Sequence, residues 1–297
     1  MLNMNWKLEQ REKEGNIIKV GIVGAGQMGR GMVTQMVLMK GMSPAIVSDI
    51  NVDLAVQAFK YAEVADEDIV VANTLEEANA GIAAHKYVAC SNADFVAQVE
   101  GVHAVVDCTG VPDVGAKVAT DAMEHGKHVA IEVPAATSID ECWQLVNTAE
   151  KTQRHCMMLE NCVYDFFELT TLNMAQHGLF GEVIHAEGAY IHNLDPYWKN
   201  YYRGWRYEFN KKNRGDVYPT HGLGPACQVL NIHRGDKMNT LISMDTKAFN
   251  GLNVAEQFGE TEYANGDHTI TLIQTEKGKI IEIQHNVVTP RPYNRMY

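Results

Sequence analysis

The segment Lys19-Val-Gly-Ile-Val-Gly-Ala-Gly-Gln-Met-Gly-Arg30 decides the fold, because a run of β-branched residues ends there in a glycine turn that a helix-like pattern follows. A strand, a glycine turn and a helix start in this order are typical of sites for a dinucleotide pyrophosphate. Gly24 permits the tight turn, Gly26 lets the phosphates approach the backbone, and Gly29 lets the helix and strand pack closely. The alternative is a glycine turn without a ligand.

A second predicted strand, Ala45-Ile-Val-Ser-Asp49, ends in an acid about 20 residues after the last glycine of the turn. An acid at this distance is placed to bind the ribose 2′-OH of a dinucleotide, and no arginine follows it to accept a 2′-phosphate. We therefore predict NAD rather than NADP as the cofactor. The predicted cofactor-binding residues of this part of the chain are Gly24, Gly26, Gln27, Met28, Gly29, Asp49 and Thr109.

The chain of 297 residues is long enough for two domains, and its formal net charge of −12 argues against a nucleic-acid surface. The stretch 1–15 lacks the apolar core of a signal peptide, and no stretch approaches the length of a membrane span. The six cysteines show no CxxC spacing, which favours reduced thiols in a cytosolic protein. We expect a cytoplasmic protein with no nucleic-acid partner, no membrane partner and no metal site.

Strand-like and helix-like segments alternate up to the strand His128–Ile131, which predicts an α/β fold of the Rossmann type with a doubly wound parallel sheet. Ligands bind such sheets at the carboxyl ends of the strands. These ends bring together the glycine turn, Asp49, the turn after Thr109, and Glu132-Val-Pro134.

After Gly181 the predicted strands follow one another without helices between them, and Glu276-Lys-Gly-Lys279 is typical of a hairpin turn. Alternation within these strands predicts a second α+β domain on a mainly antiparallel sheet with one buried face. We place the boundary near Pro134, between an NAD-binding domain at 1–134 and a substrate domain at 135–297.

The stretch from His192 to Pro219 is rich in aromatic residues interleaved with lysines and arginines, and its poor periodicity predicts a long loop. Aromatic faces with hydrogen-bonding tips, together with arginine forks, suit a polar ligand with apolar faces, such as a sugar. A subunit interface is an equally weighted alternative, since the same residue types are enriched there. The aromatic residues are Tyr197, Trp198, Tyr201, Tyr202, Trp205, Tyr207 and Tyr218.

The segment Tyr218-Pro-Thr-His221 comes directly after this stretch and opens a helix-like pattern that reaches Leu230. We predict that Thr220 caps this helix, which places Tyr218 and His221 at its start. A neutral histidine is a candidate acid or base near pH 7. A lone histidine is more often structural, but the neighbouring aromatic residues favour the functional interpretation.

Several long motifs resemble glycoside hydrolase family 109, the NAD-dependent α-N-acetylgalactosaminidase-like proteins of the Gfo/Idh/MocA superfamily. The motifs are Glu132-Val-Pro134, Met158-Leu-Glu-Asn-Cys-Val-Tyr164, Gly178-Leu-Phe-Gly-Glu182, His185-Ala-Glu-Gly-Ala-Tyr190, Tyr218-Pro-Thr-His-Gly-Leu-Gly-Pro225 and Pro290-Arg-Pro-Tyr293. Residues before about 128 look more like homoserine-dehydrogenase-like oxidoreductases that carry a SAF domain. We hypothesise that two Rossmann lineages were joined at His128–Ile131; a single lineage is the alternative.

The resemblance implies a glycosidase in which NAD takes a hydride from the sugar C3, a base removes the acidified C2 proton, the C1 substituent is eliminated, water adds, and the hydride is returned. It implies that Tyr190 and His221 transfer protons. It further implies that Arg206, Tyr218, Thr220 and Tyr293 hold the sugar, and that Glu132, Val133 and Asn161 touch NAD.

The chain departs from the family in two places. Gly110-Val-Pro-Asp113 replaces an aromatic-and-histidine nucleotide contact, and the chain ends at Tyr297, which predicts a shortened sheet. An exposed sheet edge favours pairing with another subunit, so a homo-oligomer is one expected state.

Two further functions are kept as alternatives. One is a sugar oxidoreductase of the same superfamily, disfavoured because Glu132-Val-Pro134 lacks the lysine of the usual Glu-Lys-Pro. The other is an inactive NAD-binding protein.

Overall fold

A computed structural model describes residues 4–194 and 205–294 of the chain. The chain divides into two compact units, Met1–Leu159 and Glu160–Tyr297. Four of the aromatic residues discussed above, Tyr197, Trp198, Tyr201 and Tyr202, lie outside the described residues.

The first unit alternates strands and helices. Its elements are α1 (Asn5–Lys13), β1 (Ile18–Val23), α2 (Gln27–Leu38), β2 (Met42–Ser48), α3 (Val52–Tyr61), β3 (Ile69–Ala72), α4 (Leu75–Ala83), β4 (Tyr87–Cys90), α5 (Ala93–Gln98), β5 (Ala104–Asp107), α6 (Pro112–Glu124), β6 (His128–Ile131), α7 (Ile139–Thr152) and β7 (Cys156–Met158), with a 3₁₀ turn at Asp66–Asp68. The sequence patterns did not predict β4 and α5, which are short.

The seven strands of the first unit form one parallel sheet in the order β3-β4-β2-β1-β5-β6-β7. The central strands are buried on both faces, as shown by Ile22 and Val105, which are fully buried, and this explains their nearly continuous apolar sequences. The predicted doubly wound parallel sheet is therefore confirmed. Helix α7 and strand β7 follow Pro134 in the chain and belong to this unit, since β7 pairs with β6.

The second unit contains four strands and four helices among its described residues. They are α8 (Phe166–Gln176), β8 (His185–Ile191), α9 (Trp205–Lys212), α10 (Thr220–Val229), β9 (Met238–Asp245), α11 (Asn250–Gln257), β10 (Thr269–Thr275) and β11 (Ile280–Asn286), preceded by a 3₁₀ helix at Asn161–Tyr164.

The sheet of the second unit has the order β8-β11-β10-β9. Both pairings of β10 are antiparallel, and its residues alternate between buried and exposed, as the sequence predicted. The predicted hairpin is present, since the Thr275 N–H donates to the Lys279 carbonyl at 2.9 Å and Gly278 adopts φ +80°. Strand β8, however, pairs with β11 in parallel, which makes the sheet mixed.

Two local predictions in the second unit are wrong. The segment 192–219 is not one continuous loop, because Trp205–Lys212 forms a helix. Thr220 is the first residue of α10 rather than its cap: Pro219 occupies the cap position, and no side chain caps the helix there. A proline is well suited to the start of a helix because it lacks the N–H that would be left unpaired.

In the described ranges, no helix combines the length and the apolar character that crossing a membrane requires. All six cysteines are free, and Cys142 is exposed.

Candidate active site

The glycine turn after β1 shows why two of its three glycines are required. Gly24 adopts φ +92°, and a Cβ there would lie 2.6 Å from the Cys108 carbonyl oxygen. A Cβ on Gly29 would lie 1.8 Å from the Gly24 carbonyl oxygen. Gly26, at the N-terminus of α2, has open space around its Cβ position. Gly24 and Gly29 thus close the turn, and Gly26 leaves room for a group at the positive end of α2.

Asp49 lies at the carboxyl end of β2 and contacts the glycine turn directly. Its carboxylate accepts hydrogen bonds from the Ala25 N–H at 2.8 Å and from the Asn51 N–H at 2.9 Å. Gln27 and Met28 are exposed in the first turn of α2. The structure therefore gathers the first group of predicted cofactor residues at one edge of the sheet.

The ends of β5 and β6 complete this edge. The Thr109 hydroxyl donates to Asp107 Oδ1 at 3.0 Å, and the Glu132 N–H donates to the Asp107 carbonyl at 3.0 Å. Burial raises the pKa of the Asp107 carboxyl to about 6, although its hydrogen bonds with Thr109 oppose the shift. Val133 is buried next to Glu132. Asn161, the remaining residue expected to touch NAD, is an exposed residue of the second unit.

In the second unit, Tyr190, Tyr218 and His221 form an aromatic cluster. The ring centroids of Tyr190 and His221 are 5.0 Å apart, and the Tyr218 ring stacks on His221 at 5.5 Å. Both tyrosines are buried. Tyr293 meets Tyr190 edge-on at 6.5 Å and is itself exposed. The two residues predicted to transfer protons are therefore neighbours, and Thr220 precedes His221 at the start of α10.

Two small residues bring β8 and α10 close enough for this cluster. A Cβ on Gly188 would lie 2.4 Å from the Gly222 carbonyl oxygen, and a Cβ on Gly222 would lie 2.7 Å from the Ala189 N. The backbones of β8 and α10 therefore touch next to Tyr190 on the strand and His221 on the helix. A larger residue at either glycine has to separate the strand from the helix.

We expect Gly222→Ala to destabilise the protein by about 1–3 kcal/mol, because the added methyl group overlaps the backbone of β8. Turnover should fall as well, since Tyr190 and His221 would move apart. Urea unfolding measures the first effect and steady-state kinetics the second. Gln228→Ala, at a half-buried position of the same helix, serves as the control. A Gly222→Ala protein with the stability and turnover of the control would contradict this account.

Glu160 and Cys162 both contact the same ring nitrogen of His221. Glu160 Oε1 lies 2.8 Å from Nδ1, and Cys162 Sγ lies 3.3 Å from it. Burial lowers the pKa of His221, but its hydrogen bonds to Cys162 and Glu160 outweigh this effect and raise the pKa to about 9. Burial works against ionisation of Glu160, yet the contact with His221 leaves its carboxyl pKa below the usual value. The pair is therefore ionised at neutral pH.

Arg206 fixes the orientation of Tyr218. Its Nε donates to the Tyr218 hydroxyl at 2.6 Å, and a second guanidinium nitrogen donates to the same oxygen. The guanidinium also lies 4.9 Å from the centre of the Trp205 ring. Four of the residues implied by the resemblance, namely Tyr190, Arg206, Tyr218 and His221, thus form one connected set in the second unit.

Five further polar residues of this cluster were not predicted: Glu160, Cys162, His192, Asp216 and His285. The Tyr190 hydroxyl pairs with His192 Nδ1 at 3.0 Å. Asp216 Oδ1 accepts from the Tyr218 N–H at 2.7 Å and lies 3.9 Å from His285 Nδ1. Glu160 and Cys162 flank Asn161 in the motif Met158–Tyr164, and this motif is the sequence signal that could have identified them. No local pattern links Asp216 to His285.

Among the residues that the structure describes, Glu160, Cys162 and His221 also form a group that could hold a metal ion, since their ligand atoms lie within 4.8 Å of one another. The 2.8 Å separation of Glu160 and His221 is that of a hydrogen bond. The absence of a metal site stays a prediction.

Comparison with protein families divides the chain at the same place as its structure. Residues 18–160 match the family described as "Oxidoreductase family, NAD-binding Rossmann fold". Residues 164–297 match the family described as "Glycosyl hydrolase 109, C-terminal domain". The predicted NAD cofactor agrees with the first match.

Curated relatives carry the same family name. "Glycosyl hydrolase family 109 protein 1" of Bacteroides thetaiotaomicron is 50% identical over 283 residues, which are 94% of this chain and 58% of that protein. A protein of the same name from Phocaeicola vulgatus is 66% identical over 179 residues, which are 59% of this chain and 38% of that protein. The match thus covers somewhat more than half the length of the first of these proteins and well under half the length of the second.

Solved structures with the same fold include scyllo-inositol dehydrogenase from Lactobacillus casei with bound NAD(H) and scyllo-inositol. Its TM-score is 0.66 at 14% identity, covering 94% of this chain and 72% of that one. An NAD-binding oxidoreductase from Klebsiella pneumoniae has a TM-score of 0.71 at 15% identity, covering 93% and 68% of the two chains. At such identities the likeness shows the fold alone.

Proposed function

Because the chain joins an NAD-binding Rossmann domain of the Gfo/Idh/MocA oxidoreductases to a glycosyl hydrolase 109 C-terminal domain, we propose that it is an NAD-dependent glycosidase acting on α-N-acetylgalactosaminides. The observation that carries the proposal is the contact of buried Tyr190 with half-buried His221, whose ring centroids are 5.0 Å apart within the glycosyl hydrolase domain. It offers two groups able to exchange protons at one place.

The residues of the first unit fit NAD. Open space at Gly26 leaves the N–H groups at the start of α2 accessible to a pyrophosphate. Asp49 is followed by Ile50 and Asn51 rather than by an arginine, which favours NAD over NADP. We propose that Thr109, Glu132 and Val133 also line this site; a contact of Asn161 with NAD stays what the family resemblance implies.

When bound, NAD supplies a hydride acceptor for the sugar C3 and returns the hydride at the end of the cycle. The protein's own residues have to hold the sugar and move the C2 proton, which is acidic when C3 is a ketone. We assign the proton transfers to Tyr190 and His221. Arg206, Tyr218, Thr220 and Tyr293 are assigned to sugar binding. This division gives the first domain the cofactor and the second the substrate, so each is needed for turnover.

The test is hydrolysis of a chromogenic α-N-acetylgalactosaminide, with absorbance at the NADH wavelength followed in parallel. We expect leaving-group release without net NADH, because the hydride taken from the sugar is returned to it. The same assay on protein stripped of NAD, then supplied with it again, shows whether release depends on the cofactor.

Other outcomes identify the alternatives. NADH accumulation without release of the leaving group would assign the protein to the sugar oxidoreductases. Neither signal on a panel of sugars, combined with thermal stabilisation by NAD, would indicate a non-catalytic NAD-binding protein.

The joining of two lineages near His128–Ile131 is also kept as a proposal. The P. vulgatus relative matches 59% of the chain at 66% identity, whereas the B. thetaiotaomicron relative matches 94% at 50%. Such a difference is expected if one part of the chain is less similar to this family than the other. Alignment of residues 18–127 alone distinguishes this from a single lineage. The SAF-domain resemblance, the homo-oligomer and the cytoplasmic location stay predictions.

A further inference from the structure

We infer that Glu160 is a positioning residue that holds the His221 ring with a proton on Nδ1, so that Nε2 is the nitrogen that exchanges a proton with the sugar. The substrate named in this inference rests on the proposed function. The contact between Glu160 and His221 does not depend on the proposed function, because both residues belong to the second unit.

The Glu160 side chain is itself fixed in place. It is 7% exposed, and its Oε1 accepts a hydrogen bond from the Cys162 N–H at 2.9 Å, which closes the start of the 3₁₀ helix Asn161–Tyr164. A Cβ on Gly224 would lie 2.9 Å from Glu160 Cγ, so the absence of a side chain at this one position of α10 makes room for the carboxylate. A buried group with so little space keeps one orientation.

The contact with Glu160 determines which nitrogen of His221 carries the proton. A carboxylate only accepts hydrogen bonds, so the 2.8 Å contact requires a proton on Nδ1. Cys162 Sγ lies 3.3 Å from the same nitrogen. Nδ1 is thus occupied on the protein side, and Nε2 is the nitrogen left for a substrate. A carboxylate paired with a histidine in this manner orients the ring and stabilises its charged form, as in catalytic triads.

Among the described groups around His221, the Glu160 carboxylate is the acid in direct contact with the ring. Glu160 and Cys162 face it from the 3₁₀ helix, Tyr190 from β8, and Tyr218 from the segment before α10. Buried Asp216 accepts from the Tyr218 N–H, and burial raises the pKa of its carboxyl. Arg206 donates to the Tyr218 hydroxyl, and His285 lies 3.9 Å from Asp216. Burial lowers the pKa of His221, but the contacts with Cys162 and Glu160 outweigh burial and raise the pKa to about 9, which favours donation of a proton from Nε2 at neutral pH.

The experiment uses the intact protein labelled with ¹⁵N-histidine, without substrate. Long-range ¹H–¹⁵N correlation spectra report the protonation of each ring nitrogen, and the His221 signals are assigned from their loss in His221→Ala. We expect wild-type His221 to stay doubly protonated through neutral pH. In Glu160→Gln, which keeps the shape and removes the charge, the titration midpoint should fall by about 1–3 pH units. Glu150→Gln, at an exposed position of α7, is the control and should change nothing.

The pH dependence of kcat/KM adds a readout that a purely structural role would not move. Activity should be lost as the pH rises through the pKa of His221, and Glu160→Gln should move this alkaline limb to lower pH. A wild-type His221 that titrates near 6.5, or a titration that Glu160→Gln leaves unchanged, would overturn the inference. If Glu160→Gln does not fold, the wild-type titration decides alone. An imidazolium at pH 7 in a protein that hydrolyses no glycoside would support the inference and reject the proposed function.

Discussion

Replacement of His221 by alanine is expected to lower turnover of an α-N-acetylgalactosaminide roughly 10²–10⁴-fold, the usual contribution of a general acid or base. His221 is the one imidazole that contacts both Tyr190 and Glu160 among the described residues. Its loss removes the proton donor and leaves the Glu160 carboxylate buried with no counter-charge. NAD binding should not change, since the glycine turn and Asp49 belong to the other unit.

Two measurements separate this effect from misfolding. Steady-state kinetics report turnover, and NAD-dependent thermal stabilisation reports the cofactor site. His177→Ala, at the exposed end of α8, makes the same substitution away from the cluster and should retain activity. If His221→Ala kept its turnover, His221 would have no part in the mechanism. If it lost NAD binding as well, the two sites would not be independent.

Replacement of Gly29 by alanine should abolish NAD binding and lower the free energy of unfolding by about 1–3 kcal/mol or more. The new Cβ would lie 1.8 Å from the Gly24 carbonyl oxygen, and the two nearest atoms are backbone, which cannot rotate away. Helix α2 has to move off the sheet, and its N-terminus then no longer faces the site that a pyrophosphate would occupy.

Gly31, two residues along the same helix, provides a matched control. Its Cβ position has nothing within 4 Å, so Gly31→Ala should keep NAD binding and stabilise the protein by up to about 1 kcal/mol through helix propensity. Calorimetric titration with NAD and urea unfolding compare the two variants. Equal NAD affinity in both would show that close packing of α2 on the turn is not needed for the cofactor site.

The cluster in the second unit depends on packing more than on any single motif. Glu160, Tyr190 and His221 come from three separate segments: the start of the unit, strand β8 and helix α10. Gly188 and Gly222 let the last two segments touch, and Gly224 makes room for the first. Substitutions at these glycines therefore test the site without removing any polar group from it.

Features set by neighbouring residues could be predicted from the sequence. The glycine turn, the hairpin before β11 and the parallel sheet follow from periodicity and from hydrogen bonds within a few residues. The acid at Asp49 was recognised by its distance from the turn. Tyr190, Tyr218 and His221 were identified through motifs of a known family and not through their own periodicity.

Other features were decided only by the tertiary structure. Local patterns do not indicate the parallel pairing of β8 with β11, and the helix at Trp205–Lys212 contradicts the long loop that they predict. Glu160 and His221 are 61 residues apart in the chain, and no pattern of neighbours encodes their contact. The physical reason is that a turn or a helix is stabilised by groups close in sequence, whereas the protonation state of His221 depends on a buried carboxylate brought to it by packing.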